Sequence, residues 1–178
     1  LDGRIAAATG DSKWISNDYS RLLAHRLRSV CDAVIIGRNT FTADNPSLNV
    51  RFGDFTDDVK KFMISGQPEF SGRSNFFIEQ LITTEHENPV DPLRVLVGMP
   101  GEIPEKSNFT RDDNYVIITG RDELERCVTQ NIGLKESIMG LNIVTGDFKT
   151  PEDGIIFILD YLKGRGIMNA LLEGGAGA

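Results

Sequence analysis

Short apolar runs separated by longer polar stretches make up most of this chain. The runs are rich in β-branched and other aliphatic residues, a composition typical of strands buried on both faces of a parallel sheet. Five runs fit this description: 33–36, 94–97, 115–119, 142–144 and 167–172. The pattern therefore predicts a sheet assembled from short strands.

Helical spacing of apolar residues predicts helices between these strands. The first helix is expected from Ser16 or Asn17, either of which can cap it, to Val30, because its apolar residues recur every three or four positions. A second, short helix is expected to begin at Asp122.

The best-defined helix follows Thr150. Thr150 and Asp153 form a version of the capping box, Pro151 suits the first helical position, and Gly164 supplies the stop. Strands that alternate with helices in this way predict an α/β domain with a mainly parallel sheet.

The length of 178 residues suits a single domain over 1–178. Because the chain begins with Leu1 and ends in a glycine-rich stretch, we interpret it as a fragment of a longer protein. The polar segment 53–90, with one helix expected at 76–84, is interpreted as an insertion or mobile loop, since a long polar stretch inside a compact domain is unusual.

Composition narrows the possible functions. The formal net charge of −7 means that the chain has no excess of basic residues with which to bind nucleic acid. No apolar run is long enough to cross a membrane. No signal peptide is visible, and the two cysteines have no paired-motif spacing. We therefore expect a cytoplasmic protein with no disulfide framework, no metal site, and neither nucleic-acid nor membrane partners.

The first candidate site is the turn Gly37-Arg38-Asn39-Thr40, which joins a predicted strand to a helix start. Backbone N–H groups at such a turn can face an anion, while Arg38 adds a positive charge and Thr40 a hydroxyl donor. Downstream, Asp44 can exchange a proton, and Arg51 can hold a second anion in bidentate fashion.

The second candidate site is the stretch from Glu173 to Gly177, which follows the last predicted strand. Its glycines allow the backbone to approach a pyrophosphate closely. A third strand ends at Gly120-Arg121, where Arg121 is either a surface residue or a partner for a further phosphate.

These motifs carry a family resemblance. The Gly37–Thr40 turn resembles the Gly-Arg-x-Thr turn of dihydrofolate reductases. A longer pattern resembles the reductase domain of riboflavin biosynthesis, the RibD C-terminal family. It comprises Leu1-Asp2-Gly3, Ser12, Trp14-Ile15, His25-Arg26-Leu27-Arg28, Thr40, Asp44, Pro46, Leu48, Val50-Arg51 and Leu172-Glu173-Gly174-Gly175-Ala176.

The resemblance implies a dihydrofolate-reductase-like fold and a homodimer. It also implies reduction of 5-amino-6-(5-phosphoribosylamino)uracil, a phosphorylated ribosylaminopyrimidine, to its ribitylamino form with NADPH. The cofactor residues would then be Trp14, Gly37, Arg38, Thr40, Asp44, Gly174, Gly175, Ala176 and Gly177. The substrate residues would be Ser12, Arg28, Leu48, Arg51 and Glu173. Asp44 and Glu173 would be the catalytic acids.

Two alternatives remain open at this point. The chain could be another reductase of the same fold that acts on a different pterin or pyrimidine. It could also be a nucleotide-binding relative without turnover. Ser12, Arg28 and Arg51 favour a phosphorylated substrate over folate, and the presence of both Asp44 and Glu173 favours an active enzyme.

Overall fold

The computed structural model describes residues 18–52 and 90–174. These residues belong to two compact units: 18–30, 49–52 and 90–91 form part of one, and 31–48 with 92–174 form the other. Several predictions fall outside the described residues: Ser12, Trp14, the cap at Ser16 or Asn17, most of the 53–90 segment, Gly175, Ala176 and Gly177.

The smaller unit contains helix α1, Asp18–Val30. Its buried face includes Leu22 and His25, which lie three residues apart and therefore project from the same side of the helix. Asp18 in the first turn pairs with Arg21, and Arg28 lies in the last turn, where the helix dipole favours a cation. The predicted helix is confirmed over its described part.

The larger unit is built on a sheet of five parallel strands. The strands are β1 (Ala33–Gly37), β2 (Leu93–Val97), β3 (Tyr115–Gly120), β4 (Ile143–Gly146) and β5 (Ala170–Leu172). They lie in the order β4-β3-β2-β1-β5, so β1 and β5 are neighbours although most of the unit separates them along the chain.

Four helices accompany the sheet within the described part of this unit. They are α2 (Arg38–Asp44), α3 (Arg121–Gln130), α4 (Ile132–Ser137) and α5 (Pro151–Gly164). Helix α2 ends at Asp44, and its C-cap Asn45 has a left-handed φ of 40°, which asparagine tolerates better than most residues. The capping box of α5 is present as predicted, with the Thr150 hydroxyl and the Asp153 carboxylate each accepting a backbone N–H.

Alternate residues of the central strands pack into two separate cores. Val34 and Ile36 belong to one core together with Leu134 of α4, whereas Ala33 belongs to the other together with Leu162 of α5. Strands buried on both faces need this continuous apolar composition, which is why the runs could be read from the sequence. The predicted α/β architecture with a parallel sheet flanked by helices is confirmed.

The last strand is shorter than predicted, because only Ala170–Leu172 join the ladder rather than the whole run from Ile167. The backbone before it is held by Asp32 instead. The Asp32 carboxylate accepts the N–H groups of Met168 and Asn169 at 2.8 and 2.9 Å. A side-chain acceptor thus takes the place of a neighbouring strand at these two positions.

Candidate functional site

All five strands of the larger unit end at the same edge of the sheet, because they are parallel. A glycine lies within two residues of the end of each strand: Gly37, Gly98, Gly120, Gly146 and Gly174. Residues without a Cβ allow a ligand to approach the backbone closely, and open parallel sheets bind ligands at this edge. We call these five positions the glycine rim.

The two turns singled out in the sequence lie side by side on this rim. Strands β1 and β5 are direct neighbours, with Ile35 paired to Leu172, and the Glu173 N–H donates to the Ile35 carbonyl at 2.9 Å. The ends of these strands, Gly37 and Gly174, therefore lie next to each other. This placement is what a shared dinucleotide site requires.

A cleft of about 920 Å³ lies along the rim at the ends of β2, β3 and β4. Its walls include the first turns of α3 and α5 and the side chain of Phe148, and Arg38 reaches it from the start of α2. Arg121, Arg126 and Lys149 add three cationic side chains to its lining. The cleft is in the size range of small-molecule and cofactor sites.

Arg38 is fixed at the cleft by an acid that sequence reasoning missed. Its Nη1 forms an ion pair with Glu123 Oε1, and the other carboxylate oxygen of Glu123 accepts the Thr119 hydroxyl at 2.9 Å. Glu123 thereby links the start of α2 to the end of β3. From the sequence alone, Glu123 would be interpreted only as an acid in the first turn of a helix, because its partner Arg38 lies 85 residues away.

Arg121 also lies in the cleft wall, where its Nε donates to the Asp147 carboxylate at 2.9 Å. The hydrogen bond that Arg121 donates to Asp147 raises the pKa of this guanidinium above its already high ordinary value. Arg121 is therefore cationic at every working pH, as an anion-binding residue must be.

Helix α2 is too long to bring all of its predicted site residues together. Arg38 is its first residue and Asp44 its last, so the two are separated by about 9 Å along the helix axis. Thr40, half-buried in the first turn, lies near the rim, whereas Asp44 is exposed at the far end. The structure thus brings Gly37, Arg38 and Thr40 together but sets Asp44 apart from them.

Leu48 has a backbone conformation that is rare for its residue type. Its φ is 49°, in the left-handed region, although leucine carries a side chain that disfavours this region. The side chain is buried in the core, so only the Leu48 backbone can contact a substrate. Strained, well-packed residues of this kind often lie at binding sites.

In the smaller unit, Arg28 and Arg51 are linked through a short segment, Asn49–Arg51, which we call the strap. The Arg28 Nη1 donates to the Asn49 carbonyl at 3.3 Å, and the Val50 N–H donates to the Asp91 carboxylate at 2.8 Å. The Arg51 N–H donates to His25 Nδ1 at 3.2 Å. This use of His25 was not predicted, because its partners lie more than twenty residues away along the chain.

Neither cysteine was assigned a role from the sequence, and Cys31 lies half-buried just before β1. Burial raises the pKa of the Cys31 thiol, with the nearby acids Asp32 and Glu173 adding to the effect. A thiol that keeps its proton is a poor nucleophile. Within the described ranges, 18–52 and 90–174, no cluster of three or more His, Cys, Asp or Glu side chains could hold a metal, and no helix could span a membrane.

Comparison with known proteins gives a consistent result. The family model of the RibD C-terminal domain matches residues 1–178. The riboflavin biosynthesis protein RibD of Aquifex aeolicus is 52% identical over 178 residues, covering 98% of this chain and 37% of the relative. RibD of Bacillus amyloliquefaciens is 27% identical over 179 residues, covering 99% of this chain and again 37% of the relative.

A solved structure shares the fold. The deaminase/5-amino-6-(5-phosphoribosylamino)uracil reductase of Thermotoga maritima superposes with a TM-score of 0.56 at 21% identity, covering 99% of this chain and 36% of that protein. The predicted dihydrofolate-reductase-like fold is therefore confirmed. The chain spans a little over a third of the length of these relatives.

Proposed function

The chain belongs to the RibD C-terminal domain family, and on this premise we propose that it is an NADPH-dependent reductase of riboflavin biosynthesis. The reaction would convert 5-amino-6-(5-phosphoribosylamino)uracil into its ribitylamino form. The observation that carries the proposal is the glycine rim, where Gly37 and Gly174 adjoin and Arg38 reaches the neighbouring cleft.

The described residues fit a dinucleotide. Four of the five rim glycines are at least partly exposed, whereas Gly146 is buried under Phe148. The accessible backbone of those four suits a pyrophosphate, and Arg38 supplies a cation held in place by Glu123. Arg121, Arg126 and Lys149 in the cleft suit the additional 2′-phosphate that distinguishes NADPH from NADH. In this proposal NADPH is the preferred donor, and Gly175, Ala176 and Gly177 are assigned to its binding.

The chemistry requires one hydride and one proton. A bound NADPH supplies the hydride. In the ring-opened imine of the substrate, hydride addition at C1′ converts the C=N bond into a C–N bond, and the nitrogen takes the proton. The protein must hold C1′ in place, exclude water and supply that proton, because positioning accounts for much of the rate.

Of the two candidate acids, Glu173 is the better placed to supply the proton. It follows β5 directly and is hydrogen-bonded through its backbone to Ile35, so it lies beside the turn at Gly37. Asp44 lies at the far end of α2 and is assigned a binding role at that end. General acid catalysis of this kind contributes typically about 10²–10⁴-fold to a rate.

The substrate phosphate is assigned to Arg28 and Arg51, whose guanidinium groups match a phosphate in geometry and charge. The strap connects these two arginines within the smaller unit. Ser12 and the Leu48 backbone are assigned to the polar edges of the pyrimidine. A homodimer, which the family resemblance implies, is also part of the proposal.

Substrate-dependent oxidation of NADPH tests the function. We expect turnover with 5-amino-6-(5-phosphoribosylamino)uracil and NADPH, a much higher KM with NADH, and no turnover with dihydrofolate. Absorbance of the reduced nicotinamide measures each rate. The inactive control is Glu173→Gln, which keeps the size of the side chain but cannot supply the proton in the same way.

Each other outcome points to a different function. Turnover of dihydrofolate without turnover of the phosphorylated pyrimidine would identify a reductase for another pterin. Binding of NADPH without turnover of either compound would identify a nucleotide-binding relative that lacks the reaction.

A further inference from the structure

His25 makes a contact that the proposed function does not yet use. It lies on α1, one helical turn before Arg28, and is almost fully buried, with 8% of its surface exposed. Its Nδ1 is 3.2 Å from the Arg51 backbone nitrogen, which donates to it, and 3.1 Å from the Asn49 carbonyl oxygen. Both contacts are with the strap.

These two contacts exclude each other at any one moment. A neutral imidazole nitrogen either carries a proton, and can donate to the Asn49 carbonyl, or carries a lone pair, and can accept the Arg51 N–H. The Asn49 carbonyl already accepts a hydrogen bond from Arg28 Nη1 at 3.3 Å. With the proton on Nε2, therefore, both the Arg28 and the Arg51 donors have an acceptor.

We propose that His25 is a positioning residue that fixes the Arg51 backbone through an Nδ1 lone pair and so directs the Arg51 side chain at the substrate phosphate. The inference rests on the proposed function, because it takes Arg51 as the phosphate-binding residue. Arg28 and Asp91 hold the other two residues of the strap, so all three backbone positions are fixed by side chains of the same unit.

Such anchoring matters because of the length of the arginine side chain. Arg51 is exposed, and an exposed arginine on an unanchored backbone loses considerable freedom when it binds an anion. Fixing the backbone from which the side chain starts reduces that loss. A displacement of about 1 Å can cost large factors in binding and rate, so the anchor should act on substrate affinity first.

Two amide substitutions of His25 separate positioning from general packing. The amide of asparagine occupies nearly the position of Nδ1, whereas the longer glutamine places its amide nearer the position of Nε2. We expect His25→Gln to raise the KM for the phosphorylated pyrimidine roughly tenfold, as loss of one hydrogen bond to a part-buried donor would do. His25→Asn should recover most of this loss, and neither variant should change the KM for NADPH more than about twofold.

Two further variants calibrate the experiment. Arg51→Ala removes the guanidinium itself and should give a larger rise in the same KM than His25→Gln. Ser29→Ala is the matched control on α1, because among the residues that the structure describes its hydroxyl bonds only to the carbonyl of Arg26 within the helix. It should leave both KM values at the wild-type level.

The wild-type protein offers a readout that does not depend on whether any variant folds. The ¹⁵N chemical shifts of the His25 ring distinguish a protonated from an unprotonated nitrogen, and through-bond correlations to the His25 backbone assign the ring signals. We expect Nδ1 to be unprotonated and Nε2 to carry the proton.

The outcomes distinguish failure of the inference from failure of the proposed function. If the wild type turns over but Nδ1 is protonated, the role of His25 alone is overturned. The same follows if the wild type turns over and His25→Gln has the wild-type KM for the pyrimidine. If His25→Gln and His25→Asn raise the KM for the pyrimidine equally, the role of His25 is also overturned, because that result indicates a packing role. Absence of wild-type turnover with the pyrimidine refutes the proposed function, and the substrate role of His25 with it.

Discussion

Arg94 is a charged residue with a fully buried side chain, placed near the start of the central strand β2. Its Nε donates to the Phe109 carbonyl at 2.8 Å, and its Nη2 donates to the Asp112 carboxylate at 2.5 Å. Within the described residues, the remaining Nη1 has no hydrogen-bond partner. Removing either acceptor would therefore leave a buried cation still less well satisfied, which is costly.

We expect Asp112→Asn to lower the free energy of unfolding by about 1–3 kcal/mol at neutral pH, because the amide oxygen can still accept from Arg94 but no longer offers the buried cation a negative charge. The hydrogen bond from Arg94 lowers the pKa of Asp112, so the folded state favours the carboxylate. This stabilisation is present above the ordinary carboxyl pKa of about 3.9 and is lost as the pH falls through the lowered folded value.

Urea denaturation at neutral pH and below about pH 3 measures the effect. The difference between Asp112→Asn and the wild type should shrink towards zero in acid. Asp113→Asn, one residue further along the same exposed turn, is the control and should have little effect at either pH. A difference of equal size at both pH values would contradict the role assigned to the ion pair.

Residues with local roles could be predicted from the sequence, whereas residues with distant partners could not. The capping pair Thr150 and Asp153 was predictable because both partners lie within one helical turn. Glu123 and His25 were not, because their partners are brought to them by the fold. No pattern along the chain encodes such contacts.

Gly146, the last residue of β4, shows how tightly one element end is packed. A Cβ at this position would lie 2.4 Å from Phe148 Cε1 and 3.1 Å from Phe157 Cδ2. Phe148 and Phe157 pack edge to face, with their ring centroids 5.3 Å apart. The glycine is therefore needed for the Phe148 ring to lie against the strand end.

We expect Gly146→Ala to destabilise the protein by about 1–3 kcal/mol, the usual cost of overpacking, because the Phe148 ring must move. Gly154→Ala in the first turn of α5 is the matched variant, since the nearest atom to its Cβ would be 3.6 Å away. Alanine is the better helix former, so this second change should stabilise by up to about 1 kcal/mol. Thermal unfolding compares the two, and shifts in the same direction would contradict this account.

The predicted limits of the elements agree with the structure where apolar runs and caps define them. They differ from the structure where a side chain bonds to the backbone instead. The three central strands appear within one residue of their predicted limits. Strand β5 is cut short because Asp32 takes the backbone donors of Met168 and Asn169. Helix α4 was not predicted, since six residues are too few to show a clear helical period.

The strand order of the larger unit sets how its stability is distributed. Strand β2 lies at the centre, with β1 and β3 on either side, whereas β5 is an edge strand of three half-exposed or exposed residues in the described sheet. Backbone hydrogen bonds near an edge open more easily than those in the middle of a sheet.

Amide hydrogen exchange followed by NMR should therefore be slowest at Val95 and Leu96 in β2 and markedly faster at Leu171 in β5. The buried β3 residue Ile117 provides the internal control and should behave like β2. Protection of β5 equal to that of β2 would show that this edge is covered in solution and would contradict the expectation.

At the level of the whole chain, the alternation of strands and helices predicted the fold class, and the family resemblance drew on motifs in distant parts of the sequence. The turn at Gly37 and the stretch after Leu172 could be recognised separately, but only the β1–β5 pairing shows that they adjoin. The cleft beyond them could not be foreseen, because its helix starts were recognised one at a time and nothing in the sequence shows that they meet around Phe148.

The glycine rim also limits how such a surface can change over evolutionary time. Contacts made by the main chain cannot be altered by exchanging a side chain, and at Gly146 even one added methyl group would meet an aromatic ring. Substitutions that adapt the surface to a new ligand should then fall at the positions immediately after the glycines, such as Arg38 and Arg121. Paralogues that prefer different ligands should therefore share the glycines and differ at the residues that follow them.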